Sequence, residues 1–183
     1  MRYIADTVDF ELKEPTVVTL GKFDGRHRGH QKLLRTMEEV KESLGYATAI
    51  FTFSTAPLSL VTGEAATVIT TSEERRHNME KMGIDYLVEY PFTDDVRKMD
   101  PSVFVKDILV KRMRAKAMVV GPDCSFGYKG AGNVELLRSL SKELGFELHV
   151  IQKEKDHRRD ISSTYIREEL SLGNVAKANE LLG

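Results

Sequence analysis

His27 and His30 stand three residues apart, just after the glycine-containing stretch GKFDG at residues 21–25. At the start of a helix, two residues at this spacing project from nearly the same side. Both imidazoles can therefore donate hydrogen bonds to a single oligophosphate. Imidazoles in that position can stabilise the negative charge that develops on a leaving pyrophosphate, which is electrostatic catalysis without a covalent intermediate.

The loop that carries these histidines has the composition of a phosphate site. A β-favouring run ends at Leu20, and the sequence predicts a helix beginning near Arg28. Gly21 and Gly25 permit tight or left-handed backbone, and Gly29 leaves room beside the first turn of the helix. Free backbone N–H groups and the positive end of the helix dipole then face the ligand. The loop is neither a P-loop nor a Gly-x-Gly-x-x-Gly dinucleotide fingerprint.

Other interpretations of the histidine pair stay open at this point. Histidines at this spacing more often form a solvated helix face or half of a metal site. A zinc site would need a third ligand, and the remaining histidines, at positions 77, 149 and 157, share no motif with the pair. Asp24, within the loop, is expected to fix the turn through an Asx bond.

A second polar motif, DISSTYIREEL at residues 160–170, lies near the other end of the chain. Ser162, Ser163 and Thr164 directly precede a short helical pattern, where serine and threonine most commonly cap the helix. Hydroxyl and N–H groups at a helix start also bind phosphate. Arg167 follows one turn along, and its planar guanidinium suits polyphosphate oxygens.

A third motif is the loop VVGPDCSFGYKGAGN at residues 119–133, in which glycines flank Phe126 and Tyr128. It is too long for a simple turn. Long irregular loops at strand ends are frequently functional, and this loop is a candidate to line a pocket for a flat aromatic ligand. The alternative is a mobile surface loop.

Short β-rich runs that alternate with amphipathic helices must position these loops. Apolar residues recur at helical spacing at 33, 34, 37, 40 and 44, and again at 136, 137, 140 and 144. The alternation predicts an α/β fold, with a parallel sheet of about five strands and helices on both faces. Ligands bind such sheets outside the carboxyl ends of the strands. The predicted strands are Val17–Leu20, Ala47–Phe53, Tyr86–Glu89, Ala117–Val120 and Glu147–Ile151.

Two helix starts carry capping signals. Thr71 with Glu74 is typical of a capping box, and Asp100 precedes a proline suited to the first helical position.

The chain as a whole is expected to form a single domain over residues 1–183. Its 27 Lys and Arg against 28 Asp and Glu give no electrostatic reason to expect a nucleic-acid or membrane partner. Cys124 is the only cysteine, which excludes an intramolecular disulfide and suits a reducing cytoplasm. Neither a signal peptide nor a membrane span is indicated. We therefore expect a cytoplasmic protein.

Together, GKFDGRHRGHQKLL, ISSTYIR and VVGPDCSFGYKGAGNVELL resemble the adenylyltransferase module of the prokaryotic bifunctional riboflavin kinase/FAD synthetase family. The resemblance spans nearly the whole chain. It implies a Rossmann-like nucleotidylyltransferase fold. It also implies FMN adenylylation, in which ATP and FMN give FAD and pyrophosphate with a divalent cation, usually Mg²⁺.

The resemblance also implies roles for particular residues. His27 and His30 would hold the phosphates and stabilise the leaving group, with Ser163, Thr164 and Arg167 clamping the triphosphate. The remaining residues form two groups. Gly21, Phe23 and Gly29 would shape the ATP loop; Asp123 would lie near both substrates, and Phe126 and Gly127 in the flavin-side loop.

The sequence departs from the family pattern in three places. Ser54 replaces an acid, and Thr55-Ala56 replace Pro-His, after the second predicted strand. Asp160 precedes ISST where a basic residue is frequent, a loss for which the neighbouring arginines at 158 and 159 are candidates to compensate. The kinase signature is absent, so no riboflavin kinase activity is expected.

Two alternatives to an FMN adenylyltransferase remain open. The first is another nucleotidylyltransferase that acts on a different phosphorylated acceptor, which the Ser54 departure favours and the flavin-side loop opposes. The second is a non-catalytic nucleotide- or flavin-binding protein, which the two intact phosphate motifs oppose.

Overall fold

A six-stranded parallel sheet forms the centre of the computed structural model, which describes residues 1–54 and 67–183. The strand order is β1-β4-β3-β2-β5-β6, and every neighbouring pair is parallel. The chain therefore adds β3 and β4 on one side of β2 and then crosses over to add β5 and β6 on the other side. The strands are β1 Arg2–Ala5, β2 Thr16–Leu20, β3 Ala47–Phe53, β4 Tyr86–Tyr90, β5 Ala115–Val120 and β6 Glu147–Val150.

All five predicted strands are confirmed, and the predicted α/β parallel-sheet fold is correct. β1 is an additional strand at the sheet edge, where it pairs with β4. Its residues are only partly buried, so RYIA lacks the continuous apolar run that marks an interior strand. A short antiparallel hairpin, β7 Lys155–Asp156 with β8 Arg159–Asp160, lies outside the main sheet.

Helices occur in each connection between the described strands β2 to β6. The segment Phe104–Arg112 has π-helical hydrogen bonding, where the sequence predicts an ordinary helix after the Asp100 cap. The capping box of Thr71 and Glu74 is confirmed. The helices are α1 Arg28–Leu44, α2 Ser72–Lys81, α3 Asp94–Arg97, α4 Pro101–Val103 with its π-helical continuation Phe104–Arg112, a 3₁₀ turn Tyr128–Gly130, α5 Val134–Leu144, α6 Ser163–Ser171 and α7 Val175–Leu182.

The sheet has a separate apolar core on each face, because successive strand residues point to opposite sides. Val17 on β2 packs with the buried residues Leu33 and Met37 of α1, whereas Val18 packs in the cluster that contains Phe104 and Leu137. The predicted helices on both faces are therefore confirmed. A third, smaller cluster joins α6 and α7. Within the described ranges, no helix is long and apolar enough to cross a membrane.

Candidate active site

A cavity of about 610 Å³ lies at the carboxyl ends of β2, β3 and β5, where the strand order reverses. This is the expected ligand position in an open parallel sheet. The starts of α1 and α6 border it, so residues from both ends of the chain meet here. Ten predicted site residues line the cavity, all except Arg167: Gly21, Phe23, His27, Gly29, His30, Asp123, Phe126, Gly127, Ser163 and Thr164.

The histidine pair forms the N-terminal cap of α1. His27 has extended backbone, and its Nδ1 accepts a hydrogen bond from the backbone N–H of His30 at 3.2 Å. The Nδ1 of His30 lies 2.8 Å from the carbonyl oxygen of Gly25, to which it donates. The two rings stack with centroids 3.6 Å apart, and the ring of Phe23 lies 4.8 Å from that of His30. These contacts fix both imidazoles before any ligand binds.

The surroundings keep both imidazoles neutral near pH 7. Burial, with a smaller contribution from His30, lowers the pKa of His27 to about 3. Burial also lowers the pKa of His30, against opposing contributions from the Gly25 carbonyl and Asp24. Because Nδ1 of His27 is an acceptor, its proton is on Nε2, whereas the proton of neutral His30 is on Nδ1. His27 can therefore donate from Nε2 as it stands, and His30 can do so only after it binds a second proton.

The hydroxyl motif starts α6 and contacts the histidine loop directly. Ser162 caps the helix, with its Oγ accepting from the N–H of Tyr165 at 3.2 Å. Ser163 Oγ donates to the carbonyl oxygen of Asp24 at 2.6 Å. A Cβ atom at Gly29 would lie 3.2 Å from the His27 ring, which is a tight contact, and 3.7 Å from the carbonyl oxygen of Ile161, which is an ordinary one. The two predicted phosphate motifs thus belong to one site.

Arg167 lies at the edge of this site. Its Nη1 donates to Asp24 Oδ2 at 2.7 Å, and its Nη2 donates to Thr164 Oγ1 at 3.3 Å. The other carboxylate oxygen of Asp24 accepts from the backbone N–H groups of Ile69 and Thr70 at 2.8 and 3.1 Å. The expected local Asx turn is therefore wrong. Asp24 makes long-range contacts, which a local sequence pattern does not reveal.

The opposite side of the cavity is aromatic. The ring of Phe104 lies 5.1 Å from that of Phe51 and 5.7 Å from that of Phe126, and all three line the cavity together with Phe53. Sequence reasoning identified only Phe126. The other rings carry a weak signal, since Phe51 and Phe53 lie at a strand end and Phe104 follows a capped helix start.

The loop after β5 is fixed by hydrogen bonds and by contacts that only glycine permits. Phe126 and Gly132 exchange backbone hydrogen bonds, and the N–H of Tyr128 donates to the carbonyl oxygen of Met99 at 2.8 Å. Gly127 has a φ of 72°, and a Cβ atom there would lie 2.6 Å from Cα of Pro101. These contacts disfavour the interpretation of a merely mobile loop. They place Phe126 in the cavity wall.

Asp123 is held by Lys153, whose Nζ lies 2.9 Å from Asp123 and 3.3 Å from Asp160. Asp160, the departure from the expected basic residue, is thereby paired with a cation. Arg159 forms an ion pair with Glu168, and its guanidinium carbon lies 3.8 Å from the ring centroid of Tyr165. The Arg159 side chain is therefore already paired with residues of α6.

The Ser54 departure lies directly beyond β3. Its backbone N–H donates to the carbonyl oxygen of Tyr90 at 3.1 Å. Thr55 and Ala56, the other changed positions, lie outside the described residues.

Comparison with known proteins gives a family match over most of the chain. Residues 9–165 match the family described as FAD synthetase. The bifunctional riboflavin kinase/FMN adenylyltransferase of Escherichia coli K12 is 33% identical over 172 residues, covering 93% of this chain and 55% of that protein. The protein of the same name from Listeria monocytogenes is 32% identical over 169 residues, covering 91% and 53%. The chain thus spans about half the length of these curated relatives.

Solved structures support the fold assignment. A Streptococcus pneumoniae protein described as a macrolide-efflux protein superposes with a TM-score of 0.85 at 28% identity, over 99% of this chain and 69% of that one. A pantoate-beta-alanine ligase from Francisella tularensis gives a TM-score of 0.56 at 13% identity, over 92% and 70%. The second likeness concerns the fold alone.

Proposed function

The chain belongs to the FAD synthetase family, and from that premise we propose that it transfers AMP from ATP to FMN, giving FAD and pyrophosphate. The family match also confirms the predicted enzyme class, a nucleotidyltransferase. The specific reaction and both substrates are the proposal.

The observation that carries the proposal is that a single cavity has a polar side and an aromatic side. Its polar side presents the imidazoles of His27 and His30 and the hydroxyl of Thr164, and the Ser163 hydroxyl, which donates its hydrogen to the Asp24 carbonyl oxygen, also lines it. Its aromatic side presents Phe51, Phe53, Phe104 and Phe126. Hydrogen-bond donors at a helix start suit a triphosphate, and phenylalanine rings suit a flat ring system such as a flavin. A site of this kind can bind both substrates next to each other.

The reaction requires little covalent chemistry from the protein. An oxygen of the FMN phosphate attacks the α-phosphorus of ATP, and the bond from that phosphorus to the bridging oxygen of the β-phosphate breaks. The pair of electrons leaves with pyrophosphate. Positioning and charge stabilisation then supply most of the rate enhancement. His27, already protonated on Nε2, would donate to the phosphates directly, and His30 would donate after taking up a proton.

Arg167 does not line the cavity, but its Nη2 donates to Thr164 Oγ1, and Thr164 does line it. Its contacts to Asp24 and Thr164 use two of the five N–H donors of the guanidinium. We therefore keep Arg167 as a proposed clamp on the triphosphate, beside the Thr164 hydroxyl.

Mg²⁺ fits this scheme as an ion that arrives with the nucleotide. Within the part of the chain that the structure describes, no group of three or more His, Cys, Asp or Glu side chains could hold a metal ion. Mg²⁺ usually keeps several waters and binds through substrate phosphates plus one or two carboxylates, so no protein-only cage is needed. Asp123 and Glu154 are the carboxylates that line the cavity, and each forms an ion pair with a lysine, Lys153 and Lys32 respectively. The ion would neutralise charge on the triphosphate.

The direct test is to incubate the purified chain with ATP, Mg²⁺ and FMN, separating the flavins by chromatography and measuring pyrophosphate. We expect FAD and pyrophosphate in equal amounts, and neither when FMN is omitted. Binding of both ligands without product would indicate a non-catalytic binding protein. Pyrophosphate release with a different phosphorylated acceptor, but not with FMN, would indicate another nucleotidylyltransferase.

The same assay also tests the departure at Ser54, by comparing the Ser54→Asp variant with the wild-type chain. If the missing acid limits flavin use, Ser54→Asp should raise turnover with FMN. Unchanged turnover would mean that the pocket orients FMN without an acid at this position.

A further inference from the structure

Asp24 lies between two residues of positive φ in the histidine loop. Phe23 before it has a φ of 51° and Gly25 after it a φ of 70°, so both neighbours are left-handed. For a bulky residue such as phenylalanine this conformation is an outlier, which persists only when the surrounding structure enforces it. The Asp24 side chain is only 10% exposed, and its hydrogen bonds are among the contacts that hold the loop in this conformation.

Those hydrogen bonds join three separate segments of the chain. Oδ1 accepts from the backbone N–H groups of Ile69 and Thr70, and Oδ2 accepts from Arg167 on α6. The carbonyl oxygen of Asp24 accepts from Ser163 Oγ, also on α6. The N–H of Gly25 donates to Thr70 Oγ1 at 3.1 Å, which reinforces the same junction. One aspartate thus fastens the histidine loop, the segment before α2 and the start of α6.

The junction matters because the polyphosphate site is split between two of these segments. The imidazoles belong to the histidine loop, and the Ser163 and Thr164 hydroxyls belong to α6, more than a hundred residues away in sequence. Small misplacements of groups that act together on one reacting centre are costly for rate. A carboxylate that bonds to both segments controls their separation.

We propose that Asp24 is a positioning residue that holds the histidine loop and the start of α6 at the spacing needed to bind one triphosphate. It acts through Arg167 and the loop backbone and does not touch the substrates. This inference rests on the proposed adenylyl transfer for its kinetic consequence, but nucleotide binding tests it separately.

Asp24→Asn is the informative variant, because its amide oxygen can still accept from Ile69 and Thr70 while the charge facing Arg167 is removed. We expect kcat for FAD formation to fall about 10²-fold and the Kd for MgATP to rise at least about tenfold, as expected for a misplaced site. Asp24→Asn combined with Arg167→Met should cost less than the product of the two single effects, since both act on one contact.

Asp156→Asn is the matched control. Asp156 is likewise a buried aspartate that bonds to α6, through the Tyr165 hydroxyl, and forms an ion pair with Lys177, both at 2.8 Å. It does not line the cavity. We expect both variants to lower the thermal midpoint of unfolding similarly, while Asp156→Asn leaves kcat and the Kd for MgATP unchanged.

The proposal is overturned if Asp24→Asn retains wild-type kcat and MgATP affinity, if Asp156→Asn lowers them equally, or if the effects of Asp24→Asn and Arg167→Met simply multiply. If the wild-type chain forms no FAD, the proposed function fails and the MgATP measurements decide alone. If only Asp24→Asn then loses affinity for MgATP, the positioning role of Asp24 is supported. Equal MgATP affinity in Asp24→Asn and Asp156→Asn refutes it.

Discussion

The two histidines differ in what their ring nitrogens can do, although they are stacked against each other. Nδ1 of His27 accepts from the helix backbone, whereas Nδ1 of His30 donates to the Gly25 carbonyl. In the neutral state His27 is therefore a helix cap and a donor, and His30 is a latent donor. Their roles are distinguishable by substitution and by pH.

Replacing His30 by alanine should lower turnover by about 10²-fold or more, because one preorganised donor to the transition state is lost. The fold should survive, since the capping nitrogen belongs to His27. Steady-state kinetics together with a thermal unfolding curve checks both statements. Unchanged turnover in a folded variant would remove His30 from the mechanism.

ATP binding should be accompanied by proton uptake at His30. The neutral ring has no hydrogen on Nε2, and a nearby polyphosphate favours the imidazolium form, so binding raises the pKa of His30. Affinity for ATP should then increase as pH falls, because the bound state holds more protons than the free state. Calorimetry in buffers of different ionisation enthalpy measures the uptake. The His30→Ala variant serves as the control, because any proton uptake that remains in it comes from ATP itself. Equal uptake in the variant and the wild-type chain would contradict the assignment to His30.

At the scale of the elements, the conformation of the flavin-side loop requires a close approach to α4. Gly127 and Gly130 are both left-handed glycines in this loop, with φ values of 72° and 67°. A Cβ atom at Gly127 would meet the Pro101 backbone, whereas at Gly130 the nearest atoms are those of Ser125 at 3.7 Å. Gly127 therefore combines the clash with a backbone conformation, φ 72° and ψ −170°, that is essentially confined to glycine, whereas Gly130 has a positive φ without the clash.

Gly127→Ala should accordingly displace the loop and weaken FMN binding by about tenfold or more, whereas Gly130→Ala should carry only the cost of a non-glycine residue at positive φ, about 1 kcal/mol in stability. Fluorescence titration of FMN with each variant makes the comparison. Equal FMN affinity in the two variants would show that contact with Pro101 does not set the flavin wall.

The elements that sequence reasoning recovered are those with strong local patterns. TVVTL and ATAIFTF are buried runs, and the apolar stripes of α1 and α5 have helical spacing. The edge strand β1 was missed because its exposed residues give no such run. The π-helical bonding of Phe104–Arg112 was missed because the same residues fit an ordinary helix.

The same contrast applies to the site. The histidine and hydroxyl motifs were predictable because their residues are adjacent in sequence. The contact of Asp24 with Arg167 joins positions 143 residues apart, and no local pattern indicates it.

For the whole molecule, the buried imidazole of His27 links folding to pH. Its pKa is about 3 in the folded chain and near 6.5 when unfolded, so between these values the unfolded chain binds more protons. The contribution of the neutral ring to the free energy of unfolding is therefore fully present above about pH 6.5, and it is lost progressively as pH falls toward 3.

His27→Asn should make stability less sensitive to acid. Asparagine is a good helix cap, so the variant should fold, yet it has no group that titrates in this range. Between pH 7 and pH 5 the wild-type chain should lose about 2 kcal/mol more of its unfolding free energy than the variant. Urea unfolding at the two pH values checks this. Parallel losses would mean that His27 is not the group responsible.

The contact between Asp24 and Arg167 also has a consequence for the order in which the molecule acquires its parts. During synthesis the histidine loop leaves the ribosome long before the segment from Ser163 to Arg167, and until that segment arrives half of the polyphosphate site does not exist. Closing such a long stretch of chain is also slow relative to local helix formation. On the proposed function, we expect that a nascent chain does not retain ATP until translation and folding have reached α6.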